Sequence, residues 1–413
     1  MNGAARKLGR MSASKRRLEL VEGSSSKFWE VSLDGASFTV TYGRIGAPGV
    51  SKTTQAGSAA EAAADVEKLV REKLKKGYQE LGAPEQNYRP PAHIGTSAHV
   101  ERFLNYKVVG FNPQASGDGE DGGRRELPAL RELDKLVYAV GIAYDDEDAE
   151  FMARLEALGR DPKLGELRAL VIGGWFSECC DGAPTDLYAW LIAHGPRLAS
   201  LKGLFIGDVI QEESEISWLC QADLAPVLAA LPTLEECVVR GGAGLRFVGL
   251  RHDNLRGLTV QTGGLSALAV GDIVSADLPE LRRLTLWLGQ DYYGGDSSVD
   301  DLAPLLRGDR FPKLEHLGLQ DSPHADAIAL AVSRSPLLPR LKSLDLSMGT
   351  LGDEGAAALL ASPHLRSLKH LNLRHHYMSA AKAAELRGLG IEVNVSERQE
   401  AGVEDDRYIE VAE

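Results

Sequence analysis

The chain has 413 residues, 44% hydrophobic and 25% charged, the composition of a globular protein with room for two or three domains. No apolar run approaches the roughly 20 residues of a membrane helix. The basic start MNGAARKLGRMSASKRR has no apolar stretch behind it, so neither a membrane contact nor a secretory signal is expected. The net charge of −13 argues against nucleic-acid binding by the chain as a whole, but it is unevenly divided. Residues 1–83 carry 14 Lys+Arg against 9 Asp+Glu, leaving 32 against 50 for residues 84–413. A basic head on an acidic body implies different partners for the two parts.

Residues 1–15 are expected to form a disordered basic tail, with Met11 an alternative start. From residue 16 the chain alternates. KFWEVSL puts Trp29, Val31 and Leu33 on one strand face, Asp34-Gly35 signals a hairpin, and ASFTVTY alternates Phe38, Val40 and Tyr42 with polar residues. The glycine-punctuated turn GRIGAPG follows, then a short returning strand, VSKTTQA. Ser58 and Glu61 fit a capping box for a helix whose inner face is Val66, Leu69, Val70 and Leu74. Lys73, Lys75 and Lys76 crowd its last turn, and Gly77 ends it before Tyr78.

The strand pair, the Gly-Arg-Ile-Gly core, the helix and the closing Lys-Lys-Gly-Tyr stand in one order over residues 17–82, and this order resembles a WGR domain. That domain is named for a Trp-Gly-Arg signature and occurs in the DNA-damage-sensing poly(ADP-ribose) polymerases and in many bacterial proteins. The resemblance implies a small α+β module that touches DNA at strand ends or breaks, or a domain interface, with Tyr42, Gly43 and Arg44 in the signature places. Tyr42 replaces the signature tryptophan. Its parity with Phe38 and Val40 leaves inward packing and contact both open, whereas Arg44, beside Gly43, is assigned to the opposite, exposed face. Arg44, Lys52, Lys73, Lys75 and Lys76 would form a phosphate-binding patch if the turn and the helix end meet. Ordinary helix design accounts for the terminal lysines equally well.

Residues 84–130 are expected to be a linker and repeat-cap region. GAPEQNYRPPAHIG is Pro-rich, FLNYKVVGF resembles a capping strand, and NPQASGDGEDGGRRE reads as an acidic Gly-rich loop. Repeats follow over residues 131–396. The unit L-x-x-L-x-hydrophobic starts at Leu167, Leu201, Leu234, Leu255, Leu281, Leu314, Leu341 and Leu368. DKLVYAV (134–140) is an earlier, degenerate copy and GIEVNVS (390–396) a final edge strand. Helical stretches such as DEGAAALLASPHL lie between the strands. The later spacing of 27 residues resembles leucine-rich repeats of ribonuclease-inhibitor type, implying an α/β arc with leucines inside and strands lining a concave face. Residues 397–413 are left as an acidic tail or cap edge.

The strand positions between the leucines would form a protein-binding surface: Arg283, Thr285, Trp287, His316, Gln320, Asp345, His370, Asn372 and Arg374. His316 and His370 stand two repeats apart, roughly 10 Å at the usual strand spacing, too far to share a metal readily. Cys179, Cys180, Cys220 and Cys237 form no C-x-x-C pair and read as reduced thiols of a cytoplasmic protein. GQDYYGGDSSVDD (289–301) lacks calcium-loop spacing and reads as a surface loop. No phosphate-binding loop, zinc-protease, hydrolase or kinase signature is present. The expectation is a non-catalytic binding protein without metal or cofactor. Its repeat face would hold a protein partner and its head nucleic acid. The open alternative is a pure protein scaffold whose head also binds protein.

Overall fold

The computed structural model describes residues 14–22, 25–45, 47–80, 96–115, 120–121, 124–142, 146–176, 182–403 and 406–411. The start of the basic tail, Gly46, the Pro-rich linker, Cys179 and Cys180 lie outside them. The chain divides into two compact units: Met1–Tyr88 with Leu104–Tyr106, and Arg89–Phe103 with Lys107–Glu413.

In the first unit, strands β1 (Ser14–Glu22), β2 (Ser25–Asp34), β3 (Ser37–Arg44) and β4 (Val50–Gln55) form an antiparallel meander. After helix α1 (Ala59–Leu74), the short β5 (Gln79–Glu80) returns beside β1, giving the order β4-β3-β2-β1-β5. The cap forms as expected. Ser58 Oγ accepts the Glu61 N–H at 3.1 Å, and the Glu61 carboxylate accepts the Gly57 N–H at 2.9 Å. Gly77 closes the helix at φ +84°, a backbone state glycine reaches without strain. Val66, Val70 and Ala62 of α1 pack on Leu18, Trp29, Val31 and Phe38, forming the unit's core.

Register decides which residues of β3 reach that core. Leu18, Trp29, Tyr42 and Val50 stand directly opposite one another across β1–β4 and so share the helix-facing side. Exposure rises along this row from 0% at Leu18 and 3% at Trp29 to 49% at Tyr42 and 62% at Val50. The helix packs on β2 and on the Phe38 end of β3 and leaves the Tyr42 end of β3 and its β4 neighbour open, so Tyr42 shares the core's side without being buried in it. Arg44 is exposed, but not on the opposite face as expected. It lies two residues beyond Tyr42 on an unbroken strand, hence on the same side.

The second unit opens with β6 (Arg102–Phe103), β7 (Tyr106–Phe111), β8 (Glu120–Asp121), β9 (Arg124–Leu127) and β10 (Leu136–Val140). Strand–helix repeats follow. They run α2 (Asp148–Arg160), β11 (Ala169–Ile172), α3 (Thr185–His194), β12 (Gly203–Ile206), α4 (Ala225–Ala230), β13 (Glu236–Arg240), β14 (Gly257–Gln261) and α5 (Ala267–Ser275). Next come β15 (Arg283–Trp287), α6 (Ala303–Leu306), β16 (His316–Gln320), α7 (Ala325–Ser333), β17 (Ser343–Asp345), α8 (Asp353–Ala361), β18 (His370–Asn372), α9 (Ala380–Arg387) and β19 (Glu392–Asn394). Strands β10 to β19 pair in parallel in sequence order, forming an open sheet. The motif leucines Leu284, Leu317, Leu344 and Leu371 align in register at 0–1% exposure. Each repeat thereby supplies one layer of a continuous core that a single strand and helix could not close.

Only one of four equivalent strand ends carries a glycine that signals its turn. Gly241, Asp321, Met348 and His375 each lie seven residues after the first leucine of their motif, and each has a left-handed backbone, with φ of 103°, 55°, 70° and 56°. A left-handed Met or His costs of order 1–3 kcal/mol and persists only where its surroundings impose it. Here the ladder does so: Asp321 N–H bonds Ser347 O, Met348 N–H bonds Arg374 O, and His375 N–H bonds Ser396 O. Across these turns lies part of the expected acidic tail. Arg407–Val411 is seated on them, with Ile409 and Val411 buried.

Candidate functional sites

The exposed end of the first unit brings together most of the residues expected to meet nucleic acid. Arg44 stands directly opposite Lys27 in the β2–β3 register, so the two Cα atoms are about 5 Å apart and both side chains leave the same face. Like charges so placed repel. Both are exposed, and among the described residues neither makes an ion pair. Tyr42 and Val50 form the adjacent row, and Lys52 lies beyond them opposite Val40, again on this face. Lys27 escaped the sequence reading because register between strands is not written in either strand alone.

The helix end behaves differently. Lys73 lies over the Trp29 ring at 5.8 Å and the Tyr78 ring at 5.0 Å. Burial, then the charge of Lys76, holds its pKa below the usual lysine value. Its ammonium is thus engaged in cation–π packing on the core, whereas Lys75 and Lys76 are exposed. Gly43 and Gly49 are needed by the fold itself. A Cβ on Gly43 would lie 2.9 Å from Gly49 Cα, and one on Gly49 would lie 2.6 Å from the Phe28 ring. The turn must fold flat against Phe28, whose ring also carries the Arg17 guanidinium 4.3 Å from its centroid.

In the repeat unit, the residues expected to form an open recognition surface are largely bonded to one another. Trp287 Nε1 donates to Gln320 Oε1 at 3.0 Å, and Gln320 Nε2 donates to Ser347 Oγ at 2.9 Å. The Ser347 hydroxyl donates to Asp345 Oδ1 at 2.6 Å, and Asn372 Nδ2 donates to Asp345 Oδ2 at 2.9 Å. Arg374 N–H bonds Asn372 Oδ1 at 3.2 Å, and its guanidinium pairs with Glu397 and Glu410. His316 Nδ1 meets Ser343 Oγ at 2.7 Å, and burial pulls its pKa down to about 4. Arg283 pairs with Glu236, and His370 Nδ1 lies 3.1 Å from Glu392. Trp287, at 2% exposure, is covered by Ile216, Met348 and Val411.

Burial raises the pKa of the Asp345 carboxyl and pushes the Cys237 thiol up to about 12. Cys220 and Cys237 are free thiols. In the 289–301 loop, Asp301 accepts from Ser298 and Asp296 from the Ala267 N–H, while Tyr292 is 85% exposed. Among the described residues no three His, Cys, Asp or Glu converge to hold a metal, and no helix is long and apolar enough to cross a membrane.

Comparison with known proteins matches residues 14–85 to the WGR domain model. The uncharacterised Escherichia coli (strain K12) protein YfeS is 35% identical over 66 residues, 16% of this chain. The chain spans 27% of that relative's length. A crystal structure of a Bacteroides fragilis protein aligns over 97% of this chain and 100% of its own, with TM-score 0.65 and 29% identity. An internalin from Listeria monocytogenes aligns over 64% of this chain and 75% of its own, at 16% identity and TM-score 0.30. The N-terminal unit is a WGR domain, joined to an open sheet of strand–helix repeats.

Proposed function

We propose that the protein is a non-catalytic adaptor whose WGR domain binds nucleic acid through Lys27, Tyr42, Arg44 and Lys52, with Lys75 and Lys76 adding positive charge. The repeats, read as leucine-rich repeats of ribonuclease-inhibitor type in a cytoplasmic bacterial protein, hold a protein partner. The observation that carries the nucleic-acid half is the directly opposed Lys27–Arg44 pair beside a half-exposed Tyr42 ring. Two like charges held together are relieved by a phosphate between them, and an adjacent aromatic face offers a base something to stack on. Gly43 has no contact role in this reading.

The test is binding of the full chain to nicked, blunt-ended and intact duplexes across a salt series, beside Lys27→Ala/Arg44→Ala. Loss of two phosphate contacts lowers the slope of log affinity against log salt by about 2. A Tyr42→Ala variant that loses affinity with its salt slope unchanged would mark the ring as a stacking platform. No binding at low salt, or an unchanged slope in the double variant, rejects the site.

A second reading, protein binding by the head, is favoured by Val50 and Tyr42, which expose 62% and 49% of their surface side by side. Under it, Val50→Asp abolishes partner capture while nucleic-acid affinity stays at background.

A further inference from the structure

The segment Arg407–Val411 is held in the way a bound peptide is held. Its backbone is read at three points. The Tyr408 N–H donates to Tyr377 Oη at 2.8 Å and the Tyr408 carbonyl accepts from that hydroxyl at 3.0 Å. The Glu410 N–H donates to Met348 O at 2.8 Å, and the Val411 N–H donates to Asp321 Oδ1 at 3.0 Å. Its side chains alternate as in a strand. Ile409 and Val411 point inward at 5% and 8% exposure, and Tyr408 points outward at 64%. The ends are matched by charge: Arg407 meets Asp326 and the Thr350 carbonyl, and Glu410 meets Arg374.

The seat itself carries the marks of a built site. Its contact points Asp321 and Met348 are left-handed turn residues of successive repeats, the strained type of position that gathers at ligand clamps. The Asp321 carboxylate is fully buried, and its second oxygen, Oδ2, has no hydrogen-bond partner. Val411 closes over Trp287, the largest aromatic among the residues expected to meet a partner. A hydrogen-bonded extended backbone with alternate side chains in pockets is a recurring way of recognising peptides.

We propose that the seat formed by Asp321, Met348, Arg374 and Tyr377 is a peptide-binding site for an extended segment of a protein partner. The segment it takes has the order basic, aromatic, aliphatic, acidic, aliphatic, and Arg407–Val411 is its resident competitor. This deepens the reading of the repeats as a protein-binding module and rests on it. A partner engages Trp287 and Arg374 only by displacing the chain's own segment, so its apparent affinity is reduced by the fraction of molecules with the seat closed.

The test uses the full chain and a full-length variant, Ile409→Asp/Val411→Asp, in which the segment is unseated. The probe is a fluorescein-labelled peptide, Asp-Arg-Tyr-Ile-Glu-Val-Ala-Glu, identical to residues 406–413. Fluorescence anisotropy is expected to show saturable binding by the unseated variant and at least tenfold weaker binding by the wild-type chain. Adding Arg374→Ala to the unseated variant, or changing the peptide's first glutamate to lysine, is expected to weaken binding tenfold or more. An unseated variant that keeps the wild-type thermal transition but does not bind the peptide overturns the proposal. So does one that loses its fold, because the segment is then part of the core rather than a ligand. Equal binding by wild type and variant overturns it as well, placing the peptide elsewhere. A partner still captured by the repeats when the peptide fails leaves the protein-binding reading standing and removes only the seat.

Discussion

The segment at residues 96–101 is fastened to the repeats by backbone bonds at Thr96 and Val100 and by the His99 ring, and the ring's contribution to stability should change with pH. His99 Nδ1 lies 3.1 Å from the Asp208 carbonyl oxygen and 3.6 Å from its carboxylate, and Nε2 lies 3.0 Å from Glu213 Oε1. Both ring nitrogens face acceptors, so only the doubly protonated imidazolium satisfies the site. Burial of the ring lowers its pKa, but hydrogen bonds to Asp208 and Glu213 outweigh burial and raise it from 6.5 to about 9. Taken whole, that difference corresponds to about 3.4 kcal/mol. Water around the partly exposed ring, and around Glu213, reduces it to roughly 1–2 kcal/mol.

Because the folded value is the higher one, the stabilisation is fully present below pH 6.5, declines between 6.5 and 9, and is absent above 9. Urea unfolding of wild type and His99→Gln at pH 6.0 and pH 9.5 measures it. The difference between the two chains largely cancels the charged neighbours Arg124, Asp208, Glu213 and Arg240, which both chains share. The wild-type advantage is expected to shrink by about 1–2 kcal/mol between the two pH values. An advantage that stays constant, or grows with pH, refutes the imidazolium and leaves a neutral ring that only packs.

Gly49→Ala is expected to destabilise the WGR domain by about 1–3 kcal/mol, because the new Cβ meets the Phe28 ring at 2.6 Å in a left-handed backbone. Gly35→Ala, also left-handed but with nothing within 4 Å, isolates the backbone share at about 1 kcal/mol, and equal losses in the two variants would dismiss the Phe28 clash. Leu317→Ala, at a fully packed repeat position, is expected to cost about 3–5 kcal/mol in chemical unfolding, against under about 1 kcal/mol for half-exposed Leu330→Ala. Cys237 is expected to resist iodoacetamide at pH 8 in the native protein and to react on denaturation, as read by peptide mass mapping. Native labelling of Cys237 would contradict its burial and its raised pKa.

Local chemistry was legible in the sequence; what depends on distant pairing was not. The capped helix ending at Gly77 and the leucines of eight motifs follow from periodicity and short-range hydrogen bonding, and they stand where those rules put them. Register is different. Tyr42 lies on the core's side of β3 but past the helix, so parity alone could not bury it, and Arg44 belongs to that same side rather than the opposite one. Lys27 joins the basic face only because β2 and β3 pair with it opposite Arg44. The left-handed turns are visible in sequence at Gly241 and hidden at Asp321, Met348 and His375, where the ladder overrides the preference of the residue. The seating of Ile409 and Val411 depends on contacts formed 60 to 200 residues back along the chain, at Met348, Asp321 and Ile216, and nothing in the segment's acidic composition announces it.

The hydrogen-bonded file from Trp287 through Gln320, Ser347, Asp345 and Asn372 to Arg374 has a mechanical meaning. In a stack held only by neighbouring layers, tension at one end peels layers off singly, each at its own modest force. Here the last repeats are also stitched by side-chain bonds, Trp287–Gln320, Gln320–Ser347 and Asp345–Asn372 and then the Arg374–Glu397 pair, so pulling from the β19 end loads the stitches in series. Under an optical trap, residues 283–397 should hold together and then give way in one large extension step.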